Sequence, residues 1–231
     1  MRRQGAGSPS PAKNNERVKR MSKTVWDNIY REYLAGGEAW ASLKDDIHPV
    51  FLSLMEKSTF PVKRALDIGC GQGKYLKYLQ MKGFQTSGLD SSESAIVMTK
   101  DLLESQENII LTDMYKYQYP LNAYDLIISH ATLHHGKKKE VVALLDKIYD
   151  SLIDKGKVFI SIPSDGCIKN WAMMAEHETL EDGTCIPLNG PEKGLPHSFY
   201  SKKEIDMLFC RYFNLEVDID ERGRWIISGE K

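Results

Sequence analysis

Long apolar runs, paired cysteines and a large net charge of either sign are all missing from this chain. No stretch of its 231 residues has the roughly 18 consecutive apolar side chains that would mark a membrane span. The N-terminus lacks the apolar core of a secretory signal. Only four cysteines occur, Cys70, Cys167, Cys185 and Cys210, with no C-x-x-C pair among them. That excludes a zinc ribbon and offers no disulfide framework, so the expectation is a reducing, cytoplasmic setting. Net charge is −1, but residues 1–23 hold seven Lys/Arg against one Glu, a balance of +6 that leaves −7 for the rest. The acidic remainder argues against nucleic acid as a partner, because phosphates call for a basic face. Residues 1–23 also contain Gly5, Gly7, Pro9 and Pro11 and almost nothing to bury. They are expected to be a disordered basic arm, or an added extension ahead of Met21-Ser22-Lys23.

Asp67-Ile68-Gly69-Cys70-Gly71-Gln72-Gly73 stands out among the residues that are present. It follows the apolar end of a strand and leads into Lys74-Tyr75-Leu76-Lys77-Tyr78-Leu79, which has helical apolar spacing. Glycines permit a tight turn and close backbone approach to a ligand. The helix N-terminus behind them offers free N–H groups to an anionic group. A dinucleotide fingerprint, G-x-G-x-x-G, fails in both registers, because its third position falls on Lys74 or Leu76. No G-x-x-x-x-G-K-S/T occurs, which removes a P-loop.

An acid followed by G-x-G-x-G resembles motif I of the class I S-adenosylmethionine-dependent methyltransferases. Four later features fall where that family would place them. Phe84 to Leu89 reads as a second strand ending in Asp90, with Ser91 as the N-cap of the next helix. An acid at that strand end can bind both ribose hydroxyls of an adenosine. Thr112-Asp113-Met114 closes a third strand, and the resemblance assigns Asp113 to the adenine amino group and the following backbone N–H, that of Met114, to the ring. Tyr124 to Ser129 is a buried-type strand ending at His130, and Leu152 to Ile162 looks like a helix end, glycine turn and fifth strand. Phe213–Ile219 and Arg224–Ser228 form a terminal hairpin that would supply strands six and seven.

The fold implied is α/β: a doubly wound, seven-stranded, mostly parallel sheet with an antiparallel last strand and helices on both faces. The expected division is an arm over 1–23 and one domain over 24–231, with cap helices at 24–60 and a substrate lid at 164–200. The lid rests on a breaker-rich stretch of nearly forty residues after the fifth strand, too long for an ordinary connection. Trp26, Tyr30 and Tyr33 share a helical face, with Trp40 further on. Trp26-Asp27-Asn28-Ile29-Tyr30 looks like a helix that covers the cofactor in many small-molecule members.

The cofactor expected is S-adenosylmethionine, held by Tyr30, Asp67, Gly69, Cys70, Gly71, Gly73, Asp90, Ser91, Asp113, Met114 and His130. Cys70 is expected simply to pack within the turn. The catalytic candidates are His197 and His134. His134 and His135 resemble a pair that starts the helix after the fourth strand, where capping or packing competes with catalysis. On a helix, adjacent residues point to different faces, so no shared metal is expected. His177, His197 and Tyr200 are expected to supply the polar contacts of an aromatic acceptor pocket, with helix capping as the rival role for His197. The place after the fourth strand reads Ser129-His130-Ala131-Thr132, without the Asp/Asn-Pro-Pro-aromatic motif of amino-methylating DNA and protein-glutamine enzymes, and no Pro-Cys nucleophile of cytosine-C5 enzymes occurs. The expected activity is methyl transfer to an O, N or S atom of a small molecule, by a monomer or homodimer without membrane or nucleic-acid partners. RNA or protein methylation, or a non-catalytic cofactor-binding subunit, remain the alternatives.

Overall fold

The computed structural model describes residues 24–37, 46–104 and 108–231. The basic arm over 1–23 and Trp40 lie outside these residues. In chain order the elements are α1 (24–34), α2 (Pro49–Lys57), β1 (Arg64–Ile68), α3 (Lys74–Met81), β2 (Gln85–Asp90), α4 (Glu93–Leu102), β3 (Ile109–Leu111) and β4 (Tyr124–His130). They continue as α5 (Lys138–Ser151), β5 (Leu152–Pro163), α6 (Cys167–Asn170), β6 (His177–Thr179), β7 (Cys185–Pro187), α7 (Lys202–Phe209), β8 (Phe213–Ile219) and β9 (Arg224–Glu230).

Seven strands form one sheet in the order β3-β2-β1-β4-β5-β9-β8. The pairings from β3 to β5 are parallel, and β9 runs antiparallel to both β5 and β8. This is the doubly wound arrangement expected, with its order reversing between β1 and β4. Side chains alternate across the central strands, as the two-residue period of a strand requires. Leu66, Ile68, Ile127, Val158, Ile160 and Ile162 face α5 and α7, while Ala65, Leu126, Ile128 and Phe159 face α2 and α3. Both faces are covered, so these strands read as nearly continuous apolar runs. Phe51 of α2, fully buried, meets Tyr75 and Phe159 edge-on at 5.0 and 5.2 Å; burying such a ring contributes about 1.5–3 kcal/mol. The opening acid of β4 also has a structural role: Asp125, buried, accepts from the N–H groups of Val62 and Arg64 at 3.0 and 2.9 Å, fixing the entry to β1.

The stretch between β5 and α7 is an ordered cap built from α6, a short 3-10 turn and the β6–β7 hairpin. Its own small core is Cys167, Met174, Cys185 and Phe199. It is fastened to the domain by Ser198, whose N–H donates to His134 O at 2.8 Å and whose hydroxyl donates to Gly136 O at 2.5 Å. The Trp171 indole N–H reaches Arg222 O, in the β8–β9 turn, at 3.1 Å. Among the described residues no helix is long and apolar enough to cross a membrane.

Candidate functional site

The carboxyl ends of β1, β2, β3 and β4 converge on a cavity of about 2290 Å³, well above the roughly 300–1,000 Å³ of a single small-ligand pocket. Its inner wall is the turn after β1. Gly69, Gly71 and Gly73 have φ of 73°, 55° and 81°, a left-handed region costly for side chains. Two of them also have no room for one. A Cβ on Gly69 would run into Thr132, and one on Gly71 would stand 2.5 Å from the Tyr30 hydroxyl. Helix α1 therefore packs directly on the turn.

Asp90 ties the turn to β2. Its Oδ2 accepts from Gly71 N–H at 3.0 Å and its Oδ1 from Ser92 N–H at 2.9 Å. Burial raises its pKa, and the same burial, with Asp90 as a second cause, pushes Asp67 up to about 8. Two desolvated carboxylates disfavour each other's charge, so this wall suits a ligand carrying positive charge. Burial keeps the Cys70 thiol well above its usual range, which fits the packing role expected for it. Burial likewise lowers His130 to about 3, leaving a neutral ring whose Nδ1 lies 2.9 Å from the Ser161 hydroxyl.

Asp27 of α1 holds that helix in place. Its Oδ1 accepts from Ser94 N–H at 2.9 Å and from the Ser92 hydroxyl at 3.1 Å, both at the start of α4. The N-cap of α4 is Ser92, whose side chain accepts from Ala95 N–H; Ser91, expected there, lines the cavity instead.

Tyr30, Asp67, Gly69, Cys70, Gly71, Asp90, Ser91, Asp113, Met114 and His130 all line the cavity. Gly73 does not: it begins α3 in the left-handed conformation and packs against Thr99. Thr132 and His48 line the cavity without having been singled out as binding residues, and Trp26 joins them from the helix expected to cover the cofactor; Thr132 had no motif to mark it.

At the far end of the cavity the sequence expectation needs correction. His134 and His135 do not start a helix, because α5 begins at Lys138. They sit in the turn before it with ring centroids 3.9 Å apart, so the opposite-faces argument does not apply. His197 is fully buried behind the cavity wall rather than lining it, with Nδ1 3.0 Å from Leu195 O and Nε2 2.7 Å from Glu192 Oε2. It caps no helix either; Ser201 caps α7. Tyr200 is buried beside Trp225, and His177 turns its Nδ1 back to Met174 O at 2.8 Å, so neither faces the cavity. The side chains that do close this end are Trp26, His134, His135, Trp171 and Glu192. Burial pushes His134 and His135 well below the usual imidazole range. Burial would raise Glu192, but the His197 hydrogen bond and the neighbouring His135 outweigh it and hold the carboxylate low.

A methyltransferase-domain profile matches residues 31–218. An uncharacterized methyltransferase of Alkaliphilus oremlandii (strain OhILAs) is 29% identical over 97 residues, covering 42% of this chain and 44% of that protein. The chain thus matches less than half the length of that curated relative. Among solved structures, a protein of Pyrococcus horikoshii OT3 superposes with a TM-score of 0.66 at 17% identity, covering 86% of this chain and 98% of its own. A 1,6-didemethyltoxoflavin-N1-methyltransferase of Burkholderia thailandensis, with 1,6-didemethyltoxoflavin and S-adenosylhomocysteine bound, gives 0.66 at 15% identity, covering 99% and 93%. At such identities the structural likeness establishes the fold.

Proposed function

The chain belongs to the methyltransferase-domain family, and from that premise we propose that it transfers a methyl group from S-adenosylmethionine to an O, N or S atom of a small molecule. The observation that carries this reading is the convergence of Asp67, the glycine turn, Asp90 and Asp113 on one cavity. The residues fit the cofactor: two buried, mutually disfavoured carboxylates suit a cationic ligand, and the backbone of Gly69 and Gly71 lines the cavity beside them. Asp90 would hold the ribose hydroxyls, Asp113 and the Met114 N–H the adenine, and Asp67 with the turn the amino-acid end. When bound, the cofactor supplies a methyl group already activated by its positive sulfur.

The chain's own contribution is then position and exclusion of water. Helix α1 lays Tyr30 against the glycine turn, and Trp26 meets the His135 ring edge-on at 4.6 Å. The cap over 164–200 closes the acceptor end through Trp171. A cavity larger than one ligand, walled by aromatic and polar side chains, suits cofactor and small acceptor together. The toxoflavin-precursor methyltransferase, similar in fold, acts on an acceptor of that size. Of the two histidines picked from sequence, His134 faces the cavity and meets the acceptor side. His197 is a positioning residue that acts through Glu192. A reducing cytoplasmic setting goes with this reading, since Cys70, Cys167 and Cys185 are buried free thiols and Cys210 is an exposed one.

The test is calorimetry with S-adenosylmethionine and its demethylated product, followed by methyl transfer to a panel of phenols, amines and thiols. Micromolar binding, about −8 kcal/mol, is expected. Folded protein that binds neither compound would overturn the reading, and transfer to none of the panel would remove the small-molecule assignment.

A further inference from the structure

We propose that His134, His135, His197 and Glu192 form a binding site for a divalent transition-metal ion at the acceptor end of the cavity. The three imidazoles can each offer a ring nitrogen such that the three atoms lie within 4.8 Å of one another. The ring centroids are 3.9, 4.8 and 5.7 Å apart, and Glu192 closes the fourth side.

Hydrogen-bond accounting carries the argument. A neutral imidazole has one donor and one acceptor nitrogen, and an ionised carboxylate only accepts. His197 Nδ1 faces the Leu195 carbonyl, which can only accept, so Nδ1 carries the hydrogen. The lone pair of Nε2 is then directed at Glu192 Oε2, 2.7 Å away. His135 presents Nδ1, which is buried and has no hydrogen-bond partner, to the same carboxylate oxygen at 3.7 Å. His134 Nδ1 is buried and has no partner either. A lone pair and a carboxylate oxygen directed at one point, with two further buried ring nitrogens that have no hydrogen-bond partner alongside, require positive charge between them.

A metal ion meets that requirement, and the surroundings are those of a metal site. Ligating histidines usually donate their other N–H to a carbonyl or carboxylate, which fixes ring orientation and tautomer. The Leu195 carbonyl does so here for His197. Three imidazoles and a carboxylate suit zinc, iron, cobalt or nickel rather than calcium or magnesium. His134, His135 and Glu192 line the cavity, so a remaining coordination position would open into it. There it would take a water or the acceptor's heteroatom; only this last step rests on the methyl-transfer reading, and the ion site itself does not.

The experiment titrates the full chain, stripped with chelator, with Co²⁺ and then displaces it with Zn²⁺. One equivalent should bind with visible ligand-field bands. Glu192→Gln and His135→Gln should each weaken it by more than the roughly 10- to 100-fold typical of outer-shell partners. His177→Gln, which alters a histidine outside the cluster, should leave it unchanged. Far-ultraviolet dichroism and thermal melting of each metal-free variant check folding, and if His135→Gln does not fold, Glu192→Gln decides the matter. No saturable binding, or equal binding by wild type and Glu192→Gln, would overturn the site and leave a shared proton as the charge between these groups. Calorimetry with S-adenosylhomocysteine on the same samples separates this outcome from any failure of the cofactor reading.

Discussion

The Tyr30 hydroxyl stands 2.5 Å from the point where a Cβ on Gly71 would lie, so a helix near the N-terminus and the glycine turn are packed against each other. Gly71→Ala meets two costs: the left-handed backbone, about 1–2 kcal/mol, and the collision with Tyr30. Cofactor affinity should fall by about tenfold or more, since each tenfold is about 1.4 kcal/mol. Adding Tyr30→Phe removes the colliding oxygen, so the double variant should lose less than the two single losses together. Strictly additive losses in calorimetry would show that the contact is not what limits the turn.

The pH dependence of binding should report on Asp67, whose pKa burial and Asp90 push up to about 8. A cationic ligand beside it favours the carboxylate, so binding should release a proton below that pH and tighten as pH rises toward about 8. Calorimetry in two buffers of different ionisation enthalpy should show this release in wild type. Asp67→Asn should retain only the ligand's own titration. For folding the sign is opposite. The raised folded pKa gives stability that is complete below the unfolded value and lost as pH rises through about 8. The ligand-free protein should therefore melt lower above that pH than below it, and less so in Asp67→Asn. Identical profiles for the two proteins would contradict both statements.

Removing the Asp27 clamp should release α1 without harming the core. Asp27→Ala deprives Ser94 N–H and the Ser92 hydroxyl of their acceptor, a loss of about 1 kcal/mol by analogy with a helix cap. Burial raises the Asp27 pKa, but the Ser94 and Ser92 hydrogen bonds and the Arg31 cation outweigh it and hold it low. Its contribution is therefore present above the ordinary carboxylate range and lost as pH falls through the lowered value. Proteolysis within 24–37 should become faster at neutral pH, and the difference in melting temperature should close under acid. A difference that persists in acid would assign the effect to something other than the carboxylate.

Trp171 fastens the cap to the β8–β9 turn through one hydrogen bond, to Arg222 O. Trp171→Phe keeps the ring and loses the bond, worth about 1 kcal/mol or a factor of about five. Once an acceptor is in hand, its KM should rise by that factor while cofactor affinity stays put. A change in cofactor affinity with KM unmoved would separate the cap from acceptor binding.

Local rules carried much of this protein. The apolar runs of β4 and β5, the acids at strand ends and the glycine turn are each set by neighbours in the chain, so the sheet was legible, and ten of the eleven positions named for the cofactor line one cavity. Gly73 lies outside the cavity lining because alternate spacing does not tell which glycine faces the cavity and which begins the helix. Ser91 and Ser92 compete for one cap, and only the path of the chain leaving β2 decides between them. The acceptor end belongs to tertiary structure. His134 and His135 meet His197 and Glu192 because the cap after β5 folds back and hydrogen-bonds through Ser198 to the turn before α5. About sixty residues separate those partners, and no periodicity spans that distance. Burial by the cap, not residue type, removed His197 from the cavity and brought in Glu192, whose sequence neighbourhood of glycines and prolines marked only a loop.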